Sequence, residues 1–200
     1  MLKWFIRRRL TAFEKKFGYD AGYAHELLNE DLGAFLAFAK ITGMGNYHKG
    51  APAAAIFAAK LTGTLAEDCG PCTQLNVTMA LEAGVDGNQL AAVLARDEAA
   101  MTDDVKLAVR FARTSLAHDP EADVHREEIV KRWGKQGLYS LTFGLTASRV
   151  YPTVKYALGY GKACQRIVVE GKPVAVVRDP ESQREPARAG SSHDSGMTAA

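Results

Sequence analysis

Apolar residues recur at helical spacing through almost the whole chain as far as Tyr160, and this periodicity limits the fold more than any other feature. Leu2, Phe5, Ile6, Leu10, Phe13 and Phe17 mark a first amphipathic helix with basic residues between them. A second helix is expected over Ala24 to Ile41, with a break near Asn29. The glycine-rich stretch from Gly43 to Gly50 follows no strand and lacks phosphate-loop spacing, so it reads as a connector. Pro52 sits where proline can open a helix, and an alanine-rich helix is expected from Ala53 to Leu65. Glu67 and Asp68 interrupt it, and the next helix begins at Cys69-Gly70-Pro71-Cys72 and is stopped by Gly84. Asp86 is placed to cap a helix over Asn88 to Arg96. Thr102, followed by Asp103 and Asp104, starts another, with Val105, Leu107, Ala108, Phe111, Ala112 and Leu116 on its apolar face. Two more helices are expected over Ala122 to Trp133 and Leu138 to Leu158, the latter kinked at Pro152.

Only the C-terminal part departs from this pattern. Ile167-Val168-Val169 and Val174-Ala175-Val176-Val177 flank Glu170-Gly171-Lys172-Pro173, which reads as a small β-hairpin. From Arg178 onward almost no large apolar side chain remains to offset chain entropy, and disorder is expected. The expected organisation is therefore a helical extension over residues 1–49, a helical core over 50–163, a hairpin over 164–178 and a disordered tail over 179–200.

With 47% hydrophobic residues in 200, the chain can build one substantial core. Its 25 basic and 23 acidic side chains leave a net charge of +2, too little to point to nucleic acid as a partner. No stretch is long and apolar enough to predict a membrane span. Arginines at positions 7, 8 and 9 interrupt any leader-like apolar run, so a cytoplasmic location is the default expectation. Arg7, Arg8, Arg9, Lys15 and Lys16 suit either a solvated helix face or contact with an anionic membrane surface.

The chemistry concentrates in Cys69 and Cys72, two of the three cysteines. At this spacing on a helix start, two thiols can close a disulfide within one turn, and the free N–H groups there stabilise a thiolate. The dipole favours Cys69, near the N-cap, as the lower-pKa thiol, whereas Cys72 lies one turn in. One thiolate attacks an oxidant or disulfide and the second thiol resolves the intermediate. Cys164 stands alone and reads as a buried small apolar residue. Structural zinc would need two further ligands, and His25, His48, His118 and His125 are scattered, so no metal is expected. The thiol pair itself requires no cofactor.

Cys-Gly-Pro-Cys is also the thioredoxin tetrapeptide, but that fold needs a core strand before it, and here the preceding segment is helical. The wider context, Ala58 through Cys72 followed by Asn76, Ala80 and Gly84, resembles the AhpD-like, or carboxymuconolactone decarboxylase, superfamily. Gln89 to Leu94, Phe111-Ala112-Arg113 and the stretch from Trp133-Gly134 to Arg149 fit the same pattern. The resemblance implies an all-α fold, assembly as a trimer or larger homo-oligomer, and reduction of a peroxide or disulfide substrate with an external thiol reductant. It also implies a proton relay from a histidine and a glutamate, yet Asn76 stands at the histidine position and Phe57 at the glutamate position. An amide cannot accept a proton at neutral pH. Glu67, Asp68, Lys60 and His48 are the remaining candidates to support the thiols. Glu67 and Asp68 would raise a neighbouring thiol pKa, and Lys60 would lower it on reaching the site. The expected function is a thiol-dependent, alkylhydroperoxidase-like oxidoreductase. The competing expectation is a non-catalytic redox sensor or oligomeric binding protein that lacks the relay histidine.

Overall fold

The structure is a computed structural model that describes residues 1–161 and 166–177. Cys164 and the predicted disordered tail lie outside the described residues. Within them the chain forms α1 (Leu2–Phe17), α2 (Gly22–Glu30), α3 (Leu32–Gly45), α4 (Ala53–Ala66), α5 (Gly70–Glu82), α6 (Gly87–Ala95), α7 (Asp103–Ala117) and α8 (Glu121–Ala157). A two-stranded antiparallel sheet, β1 (Ile167–Val169) and β2 (Lys172–Val174), follows. Among the described residues no helix is long and apolar enough to cross a membrane.

The alanine-rich composition of α4 explains the architecture. Every residue from Ala55 to Thr64 is buried, so this helix is covered on all sides. It is packed by α5, α6, α7 and α8. Small residues let the neighbours approach: a Cβ on Gly63 would lie 2.9 Å from the Leu145 carbonyl oxygen of α8. Around α4 the core closes with Val77, Leu90, Leu94, Val105, Ile129 and Leu141. A second cluster joins Tyr19, Tyr23, Leu28 and Phe35 to Phe13 of α1, Leu75 of α5 and Val154 of α8. The N-terminal helices are thereby seated against the helix that carries the cysteine pair.

Several boundaries differ from the sequence expectation for identifiable reasons. The break between α2 and α3 falls at Asp31, whose carboxylate accepts from Gly33 N at 2.7 Å and Ala34 N at 3.2 Å and caps α3. α3 continues through Gly43 and Gly45 instead of ending before them. Gly45 serves close packing there, its missing Cβ lying 3.3 Å from that of Ala147. At the start of α7 the Thr102 hydroxyl makes no cap, and its N–H is taken by Gln89 Oε1 at 2.7 Å. The two helices expected at the end of the core are present and run on from one another as Glu121–Ala157, with a kink at Gly134 (φ 67°, ψ −178°) between them and Pro152 inside the second. The hairpin turn is tighter than expected. Glu170 (φ 48°) and Gly171 (φ 77°) alone form it, with the positive φ pair that suits a two-residue turn. Lys172 and Pro173 therefore belong to β2, opposite Val169 and Val168.

Candidate active site

The turn between α4 and α5 builds the site. Asp68 takes a left-handed conformation (φ 47°), which swings the chain out of α4. Cys69 then adopts the extended N-cap conformation of α5. Pro71 occupies the first turn, where its missing N–H costs nothing. The Cys72 N–H donates to Cys69 Sγ at 3.3 Å, so a sulfur fills the place that a serine or aspartate oxygen takes in other caps. The two Sγ atoms are 2.14 Å apart, a disulfide, and both residues are buried, at 4% and 3% exposure.

The two sulfurs have unlike surroundings. Beside Cys69 lies a cavity of about 20 Å³, lined by Thr64, Leu65, Asp68, Thr73, Ile167 and Val176. That volume suits a single water-sized molecule. Leu65 also lines a much larger open groove of about 930 Å³, into which Arg96, Arg110, Arg113 and Arg149 project. The wall beside Cys69 is partly hairpin, held to α5 by Gln74: its Nε2 donates to Val168 O at 3.0 Å and its Oε1 accepts from Val168 N at 2.7 Å.

Beside Cys72 stands Tyr19, its hydroxyl 3.9 Å from the sulfur. The buried ammonium of Lys155 lies 4.6 Å from the Tyr19 ring centre and 5.6 Å from that of Tyr23. Burial pushes the Tyr19 hydroxyl up to about 12, and the paired hydroxyl of Tyr23 is pushed up further, chiefly by burial as well. Tyr151, bonded to Thr42 Oγ1 at 3.1 Å, is raised by burial too.

The residues singled out in the sequence fall into two groups. Glu67, Asp68 and Asn76 lie around the cysteine turn. Glu67 accepts from Arg149 Nε at 2.6 Å and from Thr153 Oγ1 at 3.3 Å. Asp68 lines the small cavity, and its carbonyl accepts from the Tyr156 hydroxyl at 3.4 Å. Asn76 turns its amide back on its own helix, donating to Cys72 O at 3.1 Å. Lys60 and His48 instead meet each other, Nζ to Nε2 at 2.9 Å, against the buried ring of Phe57. Burial lowers Lys60 to about 8, and burial together with the Lys60 charge lowers His48. Among the described residues no group of three histidine, cysteine, aspartate or glutamate side chains is placed to hold a metal ion.

Tyr19, Tyr23 and Lys155 were not legible as site residues. Tyr19 and Tyr23 flank a helix junction with no motif, and Lys155 lies near the far end of the chain, in a segment that reads as an ordinary helix face. No family, no curated protein and no solved structure matches this chain.

Proposed function

We propose that the chain is a dithiol–disulfide oxidoreductase of the AhpD-like kind, in which Cys69 and Cys72 reduce a peroxide at the expense of an external thiol. The observation that carries this reading is the disulfide at the N-terminus of α5, with a backbone N–H directed at Cys69 Sγ. An N–H donor at a helix start favours the thiolate that such chemistry needs. The Cys69 thiolate attacks the peroxide O–O bond, releasing an alcohol and leaving a sulfenic acid. Cys72 then attacks that sulfur, forming the disulfide and releasing water. Two external thiols restore the dithiol and leave as their own disulfide. Burial of both sulfurs and the small cavity beside Cys69 favour a small oxidant over a bulky disulfide substrate. The family resemblance adds the expectation of a homo-oligomer.

The test is consumption of hydrogen peroxide and of an alkyl hydroperoxide with dithiothreitol as reductant, for wild type, Cys69→Ser and Cys72→Ser. Turnover in wild type that both substitutions abolish supports the reading, and absence of turnover above the thiol background refutes it. Asn76, which points its amide at a backbone carbonyl rather than a sulfur, favours a second reading, a redox sensor without turnover. That reading predicts a disulfide that forms once with peroxide and changes oligomeric state, with no sustained consumption.

A further inference from the structure

The helix N-terminus accounts for Cys69 and leaves Cys72 unexplained. Cys72 meets the hydroxyl of Tyr19, which belongs to a buried cluster of two phenols and an ammonium drawn from distant parts of the chain. Tyr19, Tyr23 and Lys155 are 6%, 4% and 5% exposed. A cystine sulfur carries no proton, so across the 3.9 Å contact the Tyr19 hydroxyl is the donor. The Tyr23 hydroxyl pairs with that of Tyr19, and the Lys155 ammonium lies over both rings. The group at this sulfur is thus Tyr19 from the α1–α2 turn, and around Tyr19 stand Tyr23 from α2 and Lys155 with Tyr151 from α8. Asp20, the carboxylate acting on both tyrosines, is exposed to solvent. A hydrogen-bond donor backed by a buried cation favours negative charge on the atom it faces.

We infer that Tyr19 donates the hydrogen bond that receives the Cys72 thiolate when the disulfide opens, with Lys155 as the positioning residue behind it. The inference rests on the dithiol–disulfide reading. In the reductive step an external thiolate attacks Cys69 Sγ. A new S–S bond forms to Cys69, the Cys69–Cys72 bond breaks, and its electron pair goes to Cys72 Sγ. The Tyr19 O–H bonds to that sulfur and stabilises it as a leaving group. In the oxidative direction the same contact keeps Cys72 as the thiolate that resolves the Cys69 sulfenic acid. A buried phenol with an ammonium over its ring thus serves Cys72, while Asn76 turns its amide to the Cys72 carbonyl within α5.

The test uses the full chain. In a Cys69→Ser background, iodoacetamide alkylation of Cys72 is followed against pH, with and without Tyr19→Phe. Loss of the hydroxyl should raise the apparent Cys72 pKa by about one unit, about tenfold less thiolate at neutral pH. In the two-cysteine chain, Tyr19→Phe should move the equilibrium with dithiothreitol about tenfold toward the disulfide, or ~30 mV. Lys155→Met should shift both readouts in the same direction, and Lys155→Arg should restore most of the loss. An unchanged alkylation profile in Tyr19→Phe, with wild type still cycling, overturns the inference and leaves the proposed function standing. A wild-type disulfide that dithiothreitol does not open overturns both.

Discussion

Replacing Lys60 by methionine should stabilise the protein at neutral pH and remove a pH dependence that the wild type carries. Lys60 is 7% exposed, with its stem against Gly144 and its ammonium on His48. Burial lowers its pKa from 10.5 to about 8. The unfolded chain therefore binds more protons than the folded one between these two values, and stability must rise with pH across that window. The full difference corresponds to about 3 kcal/mol of destabilisation below pH 8, of which about 2 kcal/mol is recovered between pH 7 and 9.5. Methionine keeps the apolar stem without the charge. Against the gain stands one lost hydrogen bond to His48, worth about 1 kcal/mol, so a net stabilisation of about 2 kcal/mol is expected at pH 7. The tyrosines act in the opposite sense, because Tyr19 and Tyr23 are raised and weaken the fold as pH climbs past 10. Urea denaturation of both proteins at intervals from pH 7 to 9.5 isolates the Lys60 contribution as a difference. Two curves that stay parallel over this range would refute the reasoning, as would a methionine variant less stable than wild type at pH 7.

Glycine substitutions should separate close packing from backbone propensity. Gly63→Ala would place its Cβ 2.3 Å from Ser148 Oγ and 2.9 Å from Leu145 O, and should lower stability by about 1–3 kcal/mol in urea denaturation. Gly43→Ala in α3 meets nothing within 4 Å, and should raise stability by up to about 1 kcal/mol in the same assay. Asp31→Ala removes the acceptor of two N–H groups at the start of α3, and should cost about 1 kcal/mol with a matching drop in thermal midpoint. Leu141→Ala, at a position with no exposure, should cost about 2–5 kcal/mol.

Local signals located most of the helices, because each is punctuated by a residue with one strong backbone preference. Pro52 opens α4, Gly84 follows α5 in a positive-φ conformation, and Asp86 caps α6 through Asn88 N at 2.9 Å. Glycine misled where its role was tertiary. Gly43 and Gly45 read as a loop, yet α3 runs through Gly43 to Gly45, where Ala147 packs close to the place a Gly45 side chain would take. The kink at Gly134 falls between the two helices expected over Ala122 to Trp133 and Leu138 to Leu158. In the site, the cysteine pair was visible because its chemistry and its helix start are neighbours in sequence. Asn76 lies one turn on, and its position beside the turn followed from helical spacing. The contact of Tyr19 with Cys72, and that of Lys155 with Tyr19, depend on how α1, α2 and α8 converge, and no periodicity encodes that.

The clasp of Gln74 on Val168 has a kinetic consequence. Ile167 and Val176 wall the space beside Cys69, and past the end of β2 Val177 N is tied to Leu94 O of α6 at 3.1 Å. On the proposed dithiol–disulfide reading, a water-sized oxidant fits that space with the hairpin in place, whereas a bulky thiol approaching from that side needs these few bonds to open first. Oxidation and reduction would then answer to different clocks, one set by bond chemistry and the other by how often a short sheet lifts from a helix. Hydrogen exchange at the Val168 amide counts those openings directly, and its rate sets a ceiling on turnover with reductants that take this route.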